Sequence, residues 1–428
     1  VRILFVGADF AWPPVTGGRI RVLSQLRALY SLDEVESVRF FSLRETEIPD
    51  ADREALAAQS PKLEVLEPIF HPIHLFSDRR YLPRVAWLRI ARGVPYLAGK
   101  WESPSVRRAL ERELKERRFD IVWIGCLGMT RYLPLVRRLQ PRARVVLDQH
   151  DVESEKFAQL TRRQHGARRL VAKMEWRAAR DFERETLRAV DAVGAISEDD
   201  ALTYRALASV RALTIPQIVP FVRRAASPPP GPRLCYVGNL RWHPNVRGLD
   251  WFCLEVWPKV RERLPDATLH IAGTRLPTGV DGTPVVPEAW RGPGITTLGF
   301  VADLEPLYLA SAAMIAPSFD GTGVRLKLLE AFRCGVPVVT TPDGAAGLAI
   351  EPGREAFVES DPGAFADRVI ELAISGDVQA RLREAAYRFL ERHHGLAAAQ
   401  AVARQLLGTA PASNGRAIAL AASSAAAD

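Results

Sequence analysis

Ala316-Pro317-Ser318-Phe319-Asp320-Gly321-Thr322-Gly323-Val324-Arg325-Leu326-Lys327-Leu328-Leu329-Glu330-Ala331 changes character twice. An apolar strand over Met314–Ala316 stops at Pro317, a Gly-x-Gly turn follows, and a helix is predicted over Val324–Cys334. Strand, glycine turn and helix in succession are the repeating unit of parallel α/β layers. Backbone N–H groups at such a turn form an anion site, helped by the positive end of the helix dipole. Lys327, one turn into the helix, adds a point charge suited to a diphosphate. Glu330 falls three residues later on nearly the same face. Its carboxylate can accept hydrogen bonds from two vicinal ribose hydroxyls. The same residues also describe a plain amphipathic helix with a Lys–Glu pair, and spacing leaves both readings open.

Outward from this stretch the alternation continues. Strands are expected at Leu234–Val237, Thr268–Ala272, Ile295–Leu298 and Pro337–Thr340, with a helix over Val246–Leu264. Upstream, Ser227-Pro228-Pro229-Pro230-Gly231-Pro232 cannot continue a helix or central strand and reads as a linker. Before it lies a second series: strands Arg2–Val6, Ser37–Leu43, Asp120–Ile124, Val145–Leu147 and Asp191–Ile196, and a helix over Gly18–Leu29. The expected fold is α/β, with two Rossmann-like domains facing each other across a cleft, where small ligands tend to sit. The boundaries are 1–218 for the N-terminal domain, 219–232 for the linker and 233–390 for the C-terminal domain. A helix over 391–409 has the option of returning to the N-terminal domain, and 410–428 reads as a disordered tail.

Three further stretches carry candidate residues. Pro13-Pro14-Val15-Thr16-Gly17-Gly18-Arg19 joins the first strand to the first helix, where Gly17 and Gly18 admit close approach of a ligand or simply serve the turn. Leu147-Asp148-Gln149-His150-Asp151-Val152-Glu153 places His150 after a strand, as a sugar-hydroxyl partner or as a capping residue; Asp148 and Glu153 are less specific neighbours. Tyr236-Val237-Gly238-Asn239-Leu240-Arg241 ends another strand, and Pro244-Asn245 opens the helix after it.

The C-terminal motif, with Phe332–Gly335 and Val336-Pro337-Val338-Val339-Thr340-Thr341, resembles the signature of glycosyltransferase family 4, of GT-B fold. The Gly-x-Gly-x-Arg-x-Lys-x-x-Glu-Ala form is similar to that of bacterial polysaccharide sugar transferases. The resemblance runs roughly from Arg2 to His394 and is densest over Leu234–Leu348. It implies a retaining, metal-independent, hexosyltransferase-like enzyme with no cofactor beyond its nucleotide-diphosphate sugar donor. It implies Arg241 and Lys327 as the cations at the diphosphate, with Arg325 sharing that work, and His150 facing the donor sugar. Donor contacts fall on Gly17, Gly18, Gly238, Asp320, Thr322, Gly323, Val324, Arg325 and Glu330, and the amides around Phe300 and Val301 receive the base. One departure stands out. The family carries two Glu in this motif; with the second aligned on Glu330, the first falls on Thr322, and Asp320 is a substitute two residues earlier. That departure keeps a non-catalytic nucleotide-sugar binder open beside the transferase, and a GT-B epimerase is the other rival. The acceptor implied is a saccharide or a lipid-linked one, in surface or exopolysaccharide synthesis.

The remaining features exclude more than they assign. A net charge of +8 fits an anionic partner or a general excess of arginine. No nucleic-acid-binding signature accompanies it, so no nucleic acid is expected. A GxGxxG after the first strand is absent, which removes the usual dehydrogenase reading. Cys126, Cys235, Cys253 and Cys334 stand far apart with no CxxC pair, unlike a disulfide framework or zinc cluster, and no metal site is expected. No signal peptide and no apolar run near the ~20 residues of a membrane span are visible. The expectation is a cytoplasmic protein. Arg79–Arg92 mixes Arg with Tyr81, Trp87 and aliphatic residues, and suits either an anionic membrane at the inner face of the cell or packing within its own domain.

Overall fold

The computed structural model describes residues 1–71, 87, 89–91, 93–224, 231–274, 276, 283–319 and 326–408. The chain divides into two compact units. The first takes residues 1–195, 200–215 and the chain from Ala399; the second takes 196–199 and 216–398. The expected tail 410–428 and the stretch 79–86 lie outside the described residues.

The first unit is built on β1 (Arg2–Val6), β2 (Ser37–Phe41), β3 (Leu43–Arg44), β4 (Leu63–Val65), β5 (Ile69–Phe70), β6 (Ile121–Ile124), β7 (Arg144–Asp148), β8 (Ala192–Ala195) and β9 (Ala212–Thr214). Seven of these form a parallel sheet in the order β4-β2-β1-β6-β7-β8-β9, and β3 pairs with β5. Its inner strands are buried almost throughout, which is why they read as short continuous apolar runs. The expected strand Ser37–Leu43 is split: pairing with β4 covers β2 only, and Leu43 turns to β5. The three-residue strands β4 and β9 and the two-residue β5 carry too few residues to show a period. From Ala399 onward the helix Leu396–Leu407 belongs to this unit, where Gln400 Nε2 donates to Ser31 O at 3.0 Å and Arg404 pairs with Glu34 at 3.0 Å.

The second unit carries β10 (Arg233–Asn239), β11 (Thr268–Thr274), β12 (Ile295–Gly299), β13 (Ala313–Ala316), β14 (Val338–Thr340) and β15 (Phe357–Val358), all parallel, in the order β12-β11-β10-β13-β14-β15. Alternate residues feed opposite faces. Leu234, Tyr236, Ala313, Ile315 and Val339 join one core with Leu249, Phe252, Trp257 and Phe365. Cys235, Met314, Ala316 and Val338 join the other with Leu328, Leu329, Phe332 and Phe389. Each fully buried Leu or Phe contributes about 1.5–3 kcal/mol. The helix expected over Val246–Leu264 starts earlier, at His243, and runs to Arg263 through a wider turn at Phe252–Val256. His394 closes this unit's C-terminal side: its Nδ1 lies 2.9 Å from Gln217 O, and its own carbonyl accepts from Val219 N at 2.9 Å. All four cysteines are free.

Candidate functional site

In each sheet the strand order reverses at one point: between β1 and β6 in the first unit, between β10 and β13 in the second. Loops leaving the carboxyl ends of strands on either side of such a point diverge and leave a crevice for ligands. Of the second unit's described candidates, Gly238 lies near the end of β10, Arg241 just after it, and Lys327 and Glu330 on the helix that follows β13, whereas Phe300 and Val301 follow β12 at the sheet edge. Asp320, Thr322, Gly323, Val324 and Arg325 lie outside the described residues, so the Gly-x-Gly turn itself has no described geometry. The helix resumes at Leu326 and ends at Arg333.

Lys327 is held toward the end of β10. Its Nζ donates to Asn245 Oδ1 at 2.9 Å and sits 4.8 Å from the centroid of the Tyr236 ring. The ring face supplies a further attraction for the ammonium. Asn245 in turn donates from Nδ2 to Asn239 O at 3.1 Å, and Asn239 Oδ1 accepts from the Arg241 amide at 3.0 Å. The structure therefore brings Lys327 and the Arg241 turn into one hydrogen-bonded group, with the Arg241 side chain exposed. Glu330, half-buried, takes a hydrogen bond from Arg333 Nε at 2.6 Å. Arg333 also stands 3.6 Å from Glu305, which pairs with Arg224. This ladder fixes one carboxylate oxygen of Glu330 from the C-terminal side of the helix. Phe300 follows Gly299, whose φ of +69° only glycine adopts without strain, and is 73% exposed. Val301 is half-buried against the core.

In the first unit Gly17 and Gly18 open the helix Gly17–Tyr30, with Thr16 Oγ1 accepting from the Arg19 amide at 3.4 Å. A Cβ at Gly18 would meet nothing within 4 Å. One turn on, Arg21 is buried and forks onto Asp148 at the end of β7, with contacts of 2.6 and 3.1 Å. The same guanidinium donates to Ala195 O and Ile215 O, at 3.2 and 3.3 Å. His150 Nε2 lies 3.0 Å from Asp148 Oδ2, with about a quarter of its side chain exposed. Burial alone would raise the Asp148 carboxyl; Arg21 and His150 beside it more than offset this and hold it below its ordinary value. The Asp148 carboxylate stands against the Nε2 edge of the imidazole ring.

Glu183, which no sequence signal marked, closes the far side of the His150 loop. Its buried carboxylate accepts from Gln149 Nε2 at 3.2 Å and from the amides of Glu153 and Ser154 at 3.0 and 3.1 Å. Those amides begin the helix Glu153–Arg163, so Glu183 caps it from another element. Burial pushes the Glu183 carboxyl up to about 7. A carboxyl raised in the folded state favours folding fully below its ordinary value of 4.5, and that contribution is lost as pH rises through about 7. Glu183→Gln should therefore flatten the fall in stability between those two pH values, measured as denaturant unfolding at pH 5 and pH 7.5 against the unaltered protein.

Residues 231–374 match the family model of Glycosyl transferases group 1. A 44.6 kDa protein of the cps region of Klebsiella pneumoniae is 31% identical over 145 residues, covering 33% of this chain and 37% of that protein. The matched stretch is thus little more than a third of that relative. Among solved structures, Anabaena HepE in complex with UDP-glucose superposes with a TM-score of 0.62 at 14% identity, covering 96% of this chain and 100% of its own. Sucrose-phosphate synthase from Thermosynechococcus elongatus gives 0.64 at 16% identity, covering 96% and 100%. The chain has the GT-B fold, and the part of it that carries Gly238, Arg241, Lys327 and Glu330 is the part that matches Glycosyl transferases group 1.

Proposed function

We propose that the chain is a retaining glycosyltransferase of the family 4 type. It would move a sugar from a nucleotide-diphosphate donor to a saccharide or lipid-linked acceptor in polysaccharide synthesis. The observation that carries this is the anchored ammonium of Lys327 at the strand-order reversal of the second unit, with Glu330 one turn along the same helix. Lys327 and Arg241 stabilise charge growing on the leaving diphosphate, without a metal. Glu330 accepts from the ribose hydroxyls through the oxygen that Arg333 leaves open. The amides beside Phe300 and Val301 take the base, and His150, steadied by Asp148, meets the donor sugar. HepE binding UDP-glucose and the cps-region relative support a UDP-sugar donor and a polysaccharide product. Trp87 and Ile90 are 55% and 86% exposed, which supports contact of the 79–92 region with the inner face of the membrane.

The test is turnover of UDP-, GDP- and ADP-sugars with saccharide and lipid-linked acceptors, followed by mass spectrometry. A glycoside product is expected from one donor series. Glu330→Ala should raise the KM for that donor about tenfold or more, from the loss of charge-assisted hydrogen bonds. Free isomerised sugar would instead identify an epimerase. Binding of the donor with no product from any acceptor would identify a non-catalytic binder.

A further inference from the structure

We propose that Asn245 is a positioning residue for the diphosphate site: its side-chain amide sets the Lys327 ammonium over the end of β10 and ties it to the turn that carries Arg241. The inference rests on the donor-site reading above and adds the group that makes it rigid.

Asn245 lies in the first turn of the helix His243–Trp251 and is only 5% exposed. Its amide orientation follows from its partners. An ammonium can only donate and a main-chain carbonyl can only accept. The oxygen must therefore face Lys327 Nζ, at 2.9 Å, and the nitrogen must face Asn239 O, at 3.1 Å. Tyr236 adds its ring beneath the ammonium and donates its hydroxyl hydrogen to Asn245 O at 3.4 Å. Gly238 now has a local reason. A Cβ there would stand 3.0 Å from Asn245 Nδ2 and 3.1 Å from the Tyr236 hydroxyl, tight enough to displace both. A free lysine stem has several rotatable bonds and spreads its charge over many positions. Fixing it in advance removes that cost from the moment when charge develops.

Two measurements test this. The first uses ligand-free protein labelled with 15N at lysine Nζ, the Lys327 signal being assigned by its loss in Lys327→Arg. In the unaltered protein that signal should exchange slowly with water, and in Asn245→Leu it should move to a solvated position with fast exchange. The second is a mutant cycle on donor turnover. Asn245→Leu should lower kcat/KM about 10- to 100-fold in the unaltered background. In a Lys327→Ala background it should lower it less than about twofold, since the interaction it serves is already gone. If Asn245→Leu loses its cooperative unfolding transition, Asn245→Ser is read in the same two ways. An unmoved Lys327 signal, or an equal loss in both backgrounds, overturns the proposal. A loss of turnover in Lys327→Ala alone shows that the donor-site reading stands even if Asn245 fails. Where no donor turns over at all, the exchange measurement still decides whether Asn245 anchors Lys327.

Discussion

Lys327→Ala is expected to lower kcat for sugar transfer about 10²–10³-fold, the usual loss when one preorganised group facing developing charge is removed. The expectation rests on how this lysine is held. Its ammonium has a defined acceptor at 2.9 Å and an aromatic face 4.8 Å away, so it is directed before any substrate arrives. A surface lysine without such partners would cost far less to remove. Steady-state turnover at saturating donor, with circular dichroism to verify folding, measures the effect. Because Lys327 acts mainly on the leaving group, kcat should fall more than donor KM rises.

The second large effect concerns stability. Arg21→Ala should destabilise the first unit by about 3–5 kcal/mol, because it takes the forked guanidinium from a fully buried carboxylate and leaves it only the partly exposed His150 ring. Asp148 is fully buried, and Arg21 is 5% exposed. The guanidinium also satisfies Ala195 O and Ile215 O, which ties the helix Gly17–Tyr30 to β8 and to the chain after β9. Removing it leaves two carbonyls and one carboxylate with fewer partners. Denaturant unfolding at pH 7 measures the loss. Replacing both partners by apolar residues, Arg21→Met with Asp148→Leu, should recover much of it, since neither charge is then left alone. The same double variant frees His150 from its carboxylate partner, and so should still be impaired in turnover.

Much of the fold was legible because parallel strands buried on both faces announce themselves as short apolar runs. Arg2–Val6, Leu234–Val237 and Met314–Ala316 needed nothing more. The strands that escaped, such as β4, β5, β9 and β15, are two or three residues long and sit at or near sheet edges. Their pairing is set by neighbours remote in sequence, which no local pattern records. The site divides in the same way. Lys327 and Glu330 were visible from their spacing on one helix. Arg21 was not, because one buried arginine looks like any other in a chain with so many exposed ones. Glu183 falls on a helix rich in charge, and only the fold brings it to the amides of Glu153 and Ser154. Asn245, expected with Pro244 to open a helix, falls inside the first turn of the helix that starts at His243. Its contact with Lys327 spans 82 positions and belongs to the sheet order.

The most direct measurement is calorimetric titration of the folded protein with UDP, GDP and ADP, beside Glu330→Ala. Selective binding of one nucleoside diphosphate by the unaltered protein, weakened about tenfold or more in Glu330→Ala, is the result expected of a donor site at the end of β10 and β13. Absence of binding to all three, or binding that Glu330→Ala leaves unchanged, would contradict it.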